Sequence, residues 1–473
     1  MTNLLDLDAG ILSEKIKAGE VRITSAVEAY INHLKKVNPI INALVQARFT
    51  AAMEEAQEKE RLLARGRVTG RLFGVPISVK ESFDVAGMRT TGGLLHRKDA
   101  VAPRDGDAIA LLRREGAIIL GKTNTPTICF AQETDNKLFG QTNNPWDLTR
   151  TAGGSSGGEA ALIAVGGAAV GIGSDIGGSI RFPSHFNGVI GFKSGNKQVS
   201  DKGHFPPTHE PLQQRMLGLG AISKSVADAE LLNDLISSFP TRKNNPSQFR
   251  LTVLSGQPGI PLSEKTETTL DTIKELLSFD YRVDELLPPY FDQYSSMWQL
   301  IMSHDEGKGM VANGLNETNF NPGWEYLKEI ITGKSEYHRY LSWAVFGSRL
   351  FKPSKSKLAR LRTWLMEADQ RAQQYFSNRV LIMPVYHTTA LPHGKVFDEI
   401  MSIRRTFLRY MPYVALPNVL GLPVLTVPVD VDDRNLPLGV QLISAIGNEN
   451  AIFHFGKLLE KEFRGYVRCT KYD

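Results

Sequence analysis

Apolar positions along this chain follow two spacings that alternate from one segment to the next. Near the N-terminus, Val27, Ile31 and Leu34 repeat at helical spacing. The segment Ser25-Ala-Val-Glu28 is typical of a capping box at the start of a helix, and Asn38-Pro39 should end that helix. Short apolar runs bounded by Gly or Pro, which are typical of buried strands, separate the helical segments. The pattern predicts further helices at about 49–64, 108–115, 160–170, 226–236, 266–279 and 450–463, and strands at 75–79, 117–120, 251–254, 381–384, 425–429 and 440–443.

Helices and strands that take turns in this way predict an α/β protein with a mixed, mostly parallel core sheet. Pro and Gly are scattered through the 473 residues rather than gathered into a linker, so we expect one large domain. Between about 288 and 364 the chain is mostly helical and rich in aromatic residues. Core packing accounts for many of these side chains, but together they are also suited to lining an apolar pocket. They are Tyr290, Phe291, Tyr294, Trp298, Trp324, Tyr326, Tyr337, Tyr340, Trp343 and Phe346.

Composition and charge exclude several classes of protein. Hydrophobic residues make up 42% and charged residues 22%, which permits a sizeable core and argues against long disorder. The net charge of +5 is spread along the chain, and the nearest approach to a basic run, residues 352–362, carries Leu358 and Leu361 at helical spacing. This run indicates a solvated helix face rather than a nucleic-acid patch. Two cysteines, Cys129 and Cys469, are too few for a disulfide framework or a thiolate metal site.

The sequence also lacks the usual marks of secretion, membrane insertion and metal binding. It has no signal-peptide pattern and no run of about eighteen apolar residues, so we expect no membrane span. Its ten histidines fall into no metal-ligand spacing, so we expect no metal and no cofactor. These observations favour a cytoplasmic protein with no nucleic-acid partner. They leave the oligomeric state open, with a homodimer among the possibilities.

Glycine becomes dense between residues 149 and 195, and two familiar motifs match in letters here or nearby but fail in context. Gly116-Ala-Ile-Ile-Leu-Gly121-Lys122-Thr123 fits the phosphate-loop expression, but its middle is itself a predicted strand and Asn124-Thr-Pro126 interrupts the required helix. Gly153-Gly-Ser155-Ser-Gly157 fits the nucleophile elbow of α/β-hydrolases, but residues 144–151 are a poor strand. A Rossmann fingerprint fails because Ile176 replaces a required glycine. We therefore expect neither nucleotide binding nor an esterase of that fold.

A third match is more specific because it combines two glycine-flanked serines with a distant lysine. Gly153-Gly-Ser155-Ser-Gly-Gly158 and Gly173-Ser174-Asp-Ile-Gly-Gly-Ser179-Ile-Arg181 resemble the defining segment of the amidase signature family. Gly74-Val-Pro-Ile-Ser-Val-Lys80 resembles the lysine segment of the same family. Lys80 precedes Ser155 by 75 residues and Ser155 precedes Ser179 by 24 residues, and both spacings resemble those of the family pattern. Lys202-Gly-His-Phe-Pro206 is similar to the fatty-acid amide hydrolase 2-like branch. Ala152 and Ser194 replace frequent prolines, which puts only the local loop shape in doubt.

The resemblance implies a fold and a division of the chain. The amidase-signature fold is a large mixed, mostly parallel twisted β-sheet covered by helices on both faces. The whole chain, 1–473, would form a single amidase signature domain. Its catalytic core would occupy about 65–240 and 380–473, and the helical, aromatic-rich region at about 285–370 would form the substrate pocket.

The resemblance also implies a mechanism, hydrolysis of a carboxylic amide through an acyl-enzyme. Lys80 would be the base, Ser155 the proton relay with a cis peptide at its backbone, and Ser179 the nucleophile. A lysine can act as a base only when neutral, so Lys80 should be buried. The remaining roles are assigned by position: an oxyanion hole of backbone N–H groups from Ile176, Gly177, Gly178 and Ser179, support of the loop by Ser174, Asp175 and Arg181, and a substrate wall at Cys129 and Phe130.

Two other functions remain open at this stage. One is the glutamine-hydrolysing A subunit of a tRNA-dependent amidotransferase, which is a relative within the family and would need partner subunits. The other is a non-catalytic amidase-like binding protein, although all three triad residues are present. The aromatic region favours a small-molecule amide with an apolar acyl or aryl group, while the physiological substrate is not determined by the sequence.

Overall fold

The protein is described by a computed structural model that covers residues 3–256, 261–315, 320–401 and 409–473. Within these ranges, eleven strands form one sheet in the order β1-β3-β2-β6-β8-β7-β12-β13-β11-β9-β10, and β4 pairs with β5 in a separate two-stranded sheet. The strands are β1 (Leu44–Ala47), β2 (Pro76–Lys80), β3 (Ile118–Thr123), β4 (Asn143–Asn144), β5 (Asp147–Thr151), β6 (Val170–Asp175), β7 (Ile190–Lys193), β8 (Gly218–Ser223), β9 (Arg250–Val253), β10 (Val283–Asp284), β11 (Arg379–Pro384), β12 (Val424–Val431) and β13 (Pro437–Ile443).

Helices lie between most of these strands, as the alternating pattern predicts. The helices are α1 (Ala9–Lys17), α2 (Ile23–Ile41), α3 (Phe49–Ala64), α4 (Asp107–Arg114), α5 (Gly157–Ala164), α6 (Arg181–Asn187), α7 (Pro211–Gln214), α8 (Val226–Ile236), α9 (Glu264–Ser278), α10 (Tyr294–Ser303), α11 (Lys308–Gly314), α12 (Pro322–Thr332), α13 (Arg339–Leu350), α14 (Lys355–Phe376), α15 (Lys395–Met401), α16 (Pro412–Val419) and α17 (Glu449–Glu462). The predicted α/β class and mixed sheet are confirmed.

Parallel and antiparallel pairing occupy different parts of the sheet. Strands β3, β2 and β6 are parallel neighbours, and so are β11, β9 and β10. The joins from β6 through β8, β7, β12 and β13 to β11 are antiparallel, as is the join of β1 to β3. Parallel pairing therefore has a smaller share than helix–strand alternation alone suggests, because β8 pairs antiparallel with both β6 and β7, and β12 pairs antiparallel with both β7 and β13.

Both faces of the sheet are covered. Along β11, Val380 and Ile382 pack into one hydrophobic cluster, whereas Leu381 and Met383 pack into another. Successive side chains of a strand point to opposite faces, so the two clusters lie on the two sides of the sheet. The first cluster includes residues of α2, α5, α8 and α17, and the second includes residues of α6, α10, α14 and α16.

Local sequence predicts some helix boundaries and fails at others. Helices α3 and α8 have the predicted bounds. Helix α2 begins before the predicted capping box, because Glu60 of α3 accepts the N–H of Thr24 at 3.0 Å, a tertiary contact that satisfies one of the free donors at the start of the helix. Pro39 lies inside the last turn of α2 rather than ending it. The predicted helix at 160–170 ends at Ala164, because Gly166, at φ 77°, turns the chain back towards β6.

The contexts of the two rejected motifs are also visible. Ile118–Thr123 is a buried strand throughout, so the phosphate-loop match is part of the sheet rather than a loop before a helix. Asp147–Thr151 does form a strand, contrary to the prediction for this segment. It pairs with β4 and forms a single bridge from Arg150 to Pro392, outside the eleven-stranded sheet, so it does not supply the central strand that a nucleophile elbow needs.

Candidate active site

Lys80 lies where two parallel strands end at the same edge of the sheet. It is the last residue of β2, and β2 runs parallel to β6 with Val79 opposite Ile172. This register brings the end of β2 beside Ser174, near the end of β6. The Lys80 Nζ lies 2.9 Å from the Ser174 Oγ and 2.7 Å from the Ser155 Oγ. The lysine predicted as a base is therefore in hydrogen-bond contact with the serine predicted as its relay.

Ser155 is held in a tight turn directly before α5. The peptide bond between Gly154 and Ser155 is cis, as the family resemblance implies. A side chain at Gly154 would place its Cβ 2.6 Å from the carbonyl oxygen of Ala131, so only glycine fits there. The next residue, Ser156, donates its N–H to the carbonyl of Ser179 at 3.1 Å. This bond ties the relay segment to the nucleophile segment, and Ser155, Ser174 and Ser179 line one cavity.

The environment of Lys80 favours its neutral form. The side chain is fully buried, and burial lowers the pKa of the Lys80 ammonium from its ordinary value because the charged form loses its hydration. Cys129, Asp175 and Glu159 act on that pKa in the opposite direction. The net shift is downward, which is the condition for a lysine to act as a base.

Asp175 and Arg181 anchor the segment that carries Ser179. Both side chains are fully buried and form a two-bond ion pair, with Arg181 Nε and Nη2 each 3.0 Å from an Asp175 oxygen. Arg181 also donates to the Gln441 side chain at 3.1 Å. Burial alone would raise the pKa of Asp175, but Arg181 and the hydrogen bond from Asn418 hold it well below its usual range. The turn is thus fixed by a permanent charge pair.

Backbone groups around Ser179 are oriented from outside the turn. The carbonyl of Ile176 accepts from Trp298 Nε1 at 2.9 Å and that of Gly177 from Gln132 Nε2 at 3.3 Å. A trans peptide is planar, so each following N–H points the opposite way. The N–H of Gly178 donates a hydrogen bond to Asp175 Oδ1 at 2.9 Å. This N–H is therefore occupied, whereas the sequence predicted it as part of the oxyanion hole. The N–H groups of Ile176, Gly177 and Ser179 have no hydrogen-bond partner among the residues the structure describes.

Cys129 and Phe130 line the cavity that contains the two serines. Phe130 also borders a second, mainly apolar cavity with Trp298, Met302 and Trp343, and the two cavities share Phe130 and Met302. Two members of the aromatic region, Trp298 and Trp343, therefore lie on a cavity wall, whereas others pack in the core or, like Trp324, remain exposed.

One polar residue of the site had no predicted role. His204 Nε2 lies 2.9 Å from the Ser174 Oγ, and the ring lines the same cavity as Ser155 and Ser179. The sequence signal was present in Lys202-Gly-His-Phe-Pro206, but nothing in that segment indicates its proximity to Lys80.

Replacement of Arg181 by methionine is expected to lower the free energy of unfolding by about 3–5 kcal/mol, because it leaves the buried Asp175 carboxylate without its partner. Thermal and urea unfolding measure the loss. The matched control is Arg61→Met, since Arg61 pairs with Glu58 on the surface and its loss should cost less than about 0.5 kcal/mol. Equal effects of the two substitutions would contradict the anchoring role.

Known proteins resemble this chain over nearly its whole length. A family model described as Amidase matches residues 25–453. Fatty-acid amide hydrolase 2-B of Danio rerio is 33% identical over 495 aligned residues, which cover 98% of this chain and 91% of the relative. Indoleacetamide hydrolase of Bradyrhizobium diazoefficiens is 29% identical over 445 aligned residues, which cover 91% of this chain and 81% of the relative. The solved structure of 6-aminohexanoate cyclic dimer hydrolase complexed with substrate shares the fold, with a TM-score of 0.82 and 22% identity. The superposition covers 99% of this chain and 100% of that structure.

The family model and the sequence relatives define an amide-hydrolysing enzyme. More particularly, the chain belongs to the amidase family, whose members act on small-molecule amides. None of the helices in the described part of the chain is both long and apolar enough to cross a membrane. No group of three or more His, Cys, Asp or Glu side chains in that part is placed to hold a metal ion.

Proposed function

We propose that this enzyme hydrolyses the C–N bond of carboxylic amides with an apolar acyl or aryl group, through an acyl-enzyme on Ser179. The observation that carries the proposal is the contact of 2.7 Å between Lys80 Nζ and Ser155 Oγ inside a fully buried site. A neutral amine at that distance from a hydroxyl is within range to accept its proton.

In the proposed acylation step, Ser155 transfers its proton to Lys80 while it takes the proton of Ser179. The Ser179 oxygen attacks the amide carbonyl, and the electron pair of the C=O bond moves to the carbonyl oxygen. The N–H groups of Ile176, Gly177 and Ser179 are available to stabilise that negative charge, since they are not engaged within the described protein.

Collapse of this intermediate breaks the C–N bond. The proton held by Lys80 returns through Ser155 to the leaving nitrogen, which departs as an amine or ammonia. Protonation matters because an unprotonated amide nitrogen is a poor leaving group. Water then attacks the Ser179 ester, gives up its proton along the same path in reverse, and releases the carboxylic acid while restoring the Ser179 hydroxyl.

The apolar cavity supports the choice of substrate class. It opens beside Phe130, on the wall of the cavity that contains Ser179, and Trp298, Trp343 and Met302 line it. An acyl chain bound there would bury apolar surface, and each Å² buried would contribute about 25 cal/mol of favourable free energy. In this proposal the chain is a single amidase domain over 1–473 with its core at about 65–240 and 380–473. The region 285–370 forms the substrate pocket. Residues 316–319 of this region and residues 402–408 of the core lie outside the described part of the chain.

Gly347 offers a test of this pocket. It lies on α13, lines the apolar cavity, and a Cβ built on it would meet nothing within 4 Å. Gly347→Leu should therefore fill the cavity without distorting the helix. We expect kcat/KM for long-chain acyl amides to fall about tenfold or more, and kcat/KM for acetamide to change little. The measurement is hydrolysis by the purified chain of a series of amides with increasing acyl length, with glutamine included.

The matched control is Gly323→Leu on the neighbouring α12, where a Cβ would meet no atom closer than 3.6 Å and which does not border the cavity. It should leave the chain-length profile of the wild-type enzyme unchanged. An equal loss for short and long amides in Gly347→Leu would contradict the pocket assignment. Turnover of glutamine alone would favour the amidotransferase alternative instead, in which this chain releases ammonia for use by partner proteins.

A further inference from the structure

Backbone hydrogen bonds on both sides of His204 fix it to the segment that directly follows Lys80. The N–H of Asp84 donates to the carbonyl of Gly203, and the N–H of Phe205 donates to the carbonyl of Ser82, each at 2.7 Å. The His204 ring packs edge-on against Phe83, with ring centroids 5.1 Å apart. The segment that follows Lys80 thus sets the position of the histidine.

A chain of close contacts leads from this ring to the base. His204 Nε2 lies 2.9 Å from Ser174 Oγ, and Ser174 Oγ lies 2.9 Å from Lys80 Nζ. Lys80 Nζ also lies 2.7 Å from the Ser155 Oγ.

The number of protons on the contacting groups determines which way each of these hydrogen bonds runs. A neutral amine has two N–H groups and one lone pair, and a serine hydroxyl has one proton and two lone pairs. If the Lys80 lone pair faces the Ser155 hydroxyl, one of its N–H groups faces the Ser174 oxygen. The Ser174 proton must then be donated elsewhere, and His204 Nε2 is the ring atom within reach.

We propose that His204 is a positioning residue for the base. By accepting the Ser174 hydroxyl proton at Nε2, it prevents that hydroxyl from donating to Lys80 and so keeps the lysine lone pair free for Ser155. The inference rests on the proposed function of Lys80 and Ser155.

The surroundings of the ring support an acceptor at Nε2. The side chain is 8% exposed, and burial lowers the pKa of His204 to about 3, while Asp201 and Asp84 act in the opposite direction. The ring is therefore neutral and carries one proton. Nδ1 makes no close hydrogen bond to the described residues, and the backbone group that acts on the ring is that of Pro206. With the proton on Nδ1, the lone pair on Nε2 faces the Ser174 hydroxyl at 2.9 Å, and this is the tautomer in which the ring accepts that proton.

The test measures the second-order rate at which a fluorophosphonate labels Ser179. His204→Leu removes the acceptor, and we expect the rate to fall at least about tenfold. His204→Gln keeps an acceptor oxygen and should recover a substantial part of the rate. His204→Phe, which retains a ring against Phe83, replaces the leucine variant if leucine lowers Tm by more than about 5 °C.

Two readouts separate positioning from a general structural effect. In the Ser174→Ala background, removal of the His204 acceptor should change the rate by less than about twofold, because the hydroxyl that it positions is gone. When Ser174 is present, the labelling rate of His204→Leu should stay below that of the wild-type enzyme from about pH 7 to about pH 10. Deprotonating Lys80 does not restore the rate, because the Ser174 hydroxyl still donates to the lysine lone pair. An additive effect in the double variant, a deficit that disappears at high pH, or wild-type labelling in His204→Leu would overturn the inference. If the wild-type enzyme itself is not labelled at Ser179, the proposed function fails instead.

Discussion

Ser179→Ala is expected to lower kcat/KM for amide hydrolysis by about 10⁵-fold or more, because the acyl-enzyme cannot form without the hydroxyl. The substitution removes one oxygen atom from a turn held by the Asp175–Arg181 pair, so the melting temperature should change little. Hydrolysis of the best amide from the chain-length series measures the loss.

Ser184→Ala is the matched control for this substitution. Ser184 lies on α6, only five residues further along the chain, is fully buried and has a hydroxyl without a hydrogen-bond partner in the described structure. Removing that hydroxyl should leave activity within about twofold of the wild-type value. A comparable loss in both variants would indicate that the segment, rather than the Ser179 hydroxyl, is what the reaction requires.

Lys80→Met is expected to lower kcat/KM by about 10⁴-fold, since it removes the only proposed acceptor for the Ser155 proton. The pH dependence has a defined sign. Burial lowers the pKa of Lys80, and only its deprotonated form can accept a proton. Wild-type activity should therefore rise with pH through that lowered pKa and be lost below it, whereas the residual activity of Lys80→Met should not show this rise. A pH–rate profile for both proteins makes the measurement.

Lys80→Arg provides the control for charge and bulk. A guanidinium stays protonated throughout the working pH range, so it preserves the positive charge but cannot act as a base. We expect it to be as inactive as the methionine variant. Substantial activity in Lys80→Arg would show that the site needs a cation and would contradict the role of Lys80 as a base.

Local sequence is sufficient for much of the fold. Helices α3 and α8 have their predicted bounds because propensity and apolar spacing agree along their whole length. The start of α2 differs because Glu60, 36 residues away from Thr24, supplies the bond that a capping side chain would otherwise make. The antiparallel joins at the centre of the sheet likewise depend on contacts between distant segments, which spacing along the chain does not encode.

The candidate site shows the same division. Lys80, Ser155 and Ser179 were assigned from motifs, and the structure brings Lys80 and Ser155 into contact and places both serines on one cavity. The bond from Gly178 to Asp175 depends on the orientation of single peptide planes, which residue types do not determine. His204 could not be assigned because the bonds that join residues 203–205 to residues 82–84 are visible only in three dimensions.

Mapping of the fluorophosphonate adduct by peptide mass spectrometry tests the central claim most directly. The account predicts that the wild-type enzyme carries one adduct, on the peptide containing Ser179, and that labelling is lost in Ser179→Ala and strongly slowed in both Lys80→Met and Ser155→Ala. An adduct on Ser155, or unchanged labelling of Ser179→Ala, would show that another residue is the nucleophile and would contradict the account.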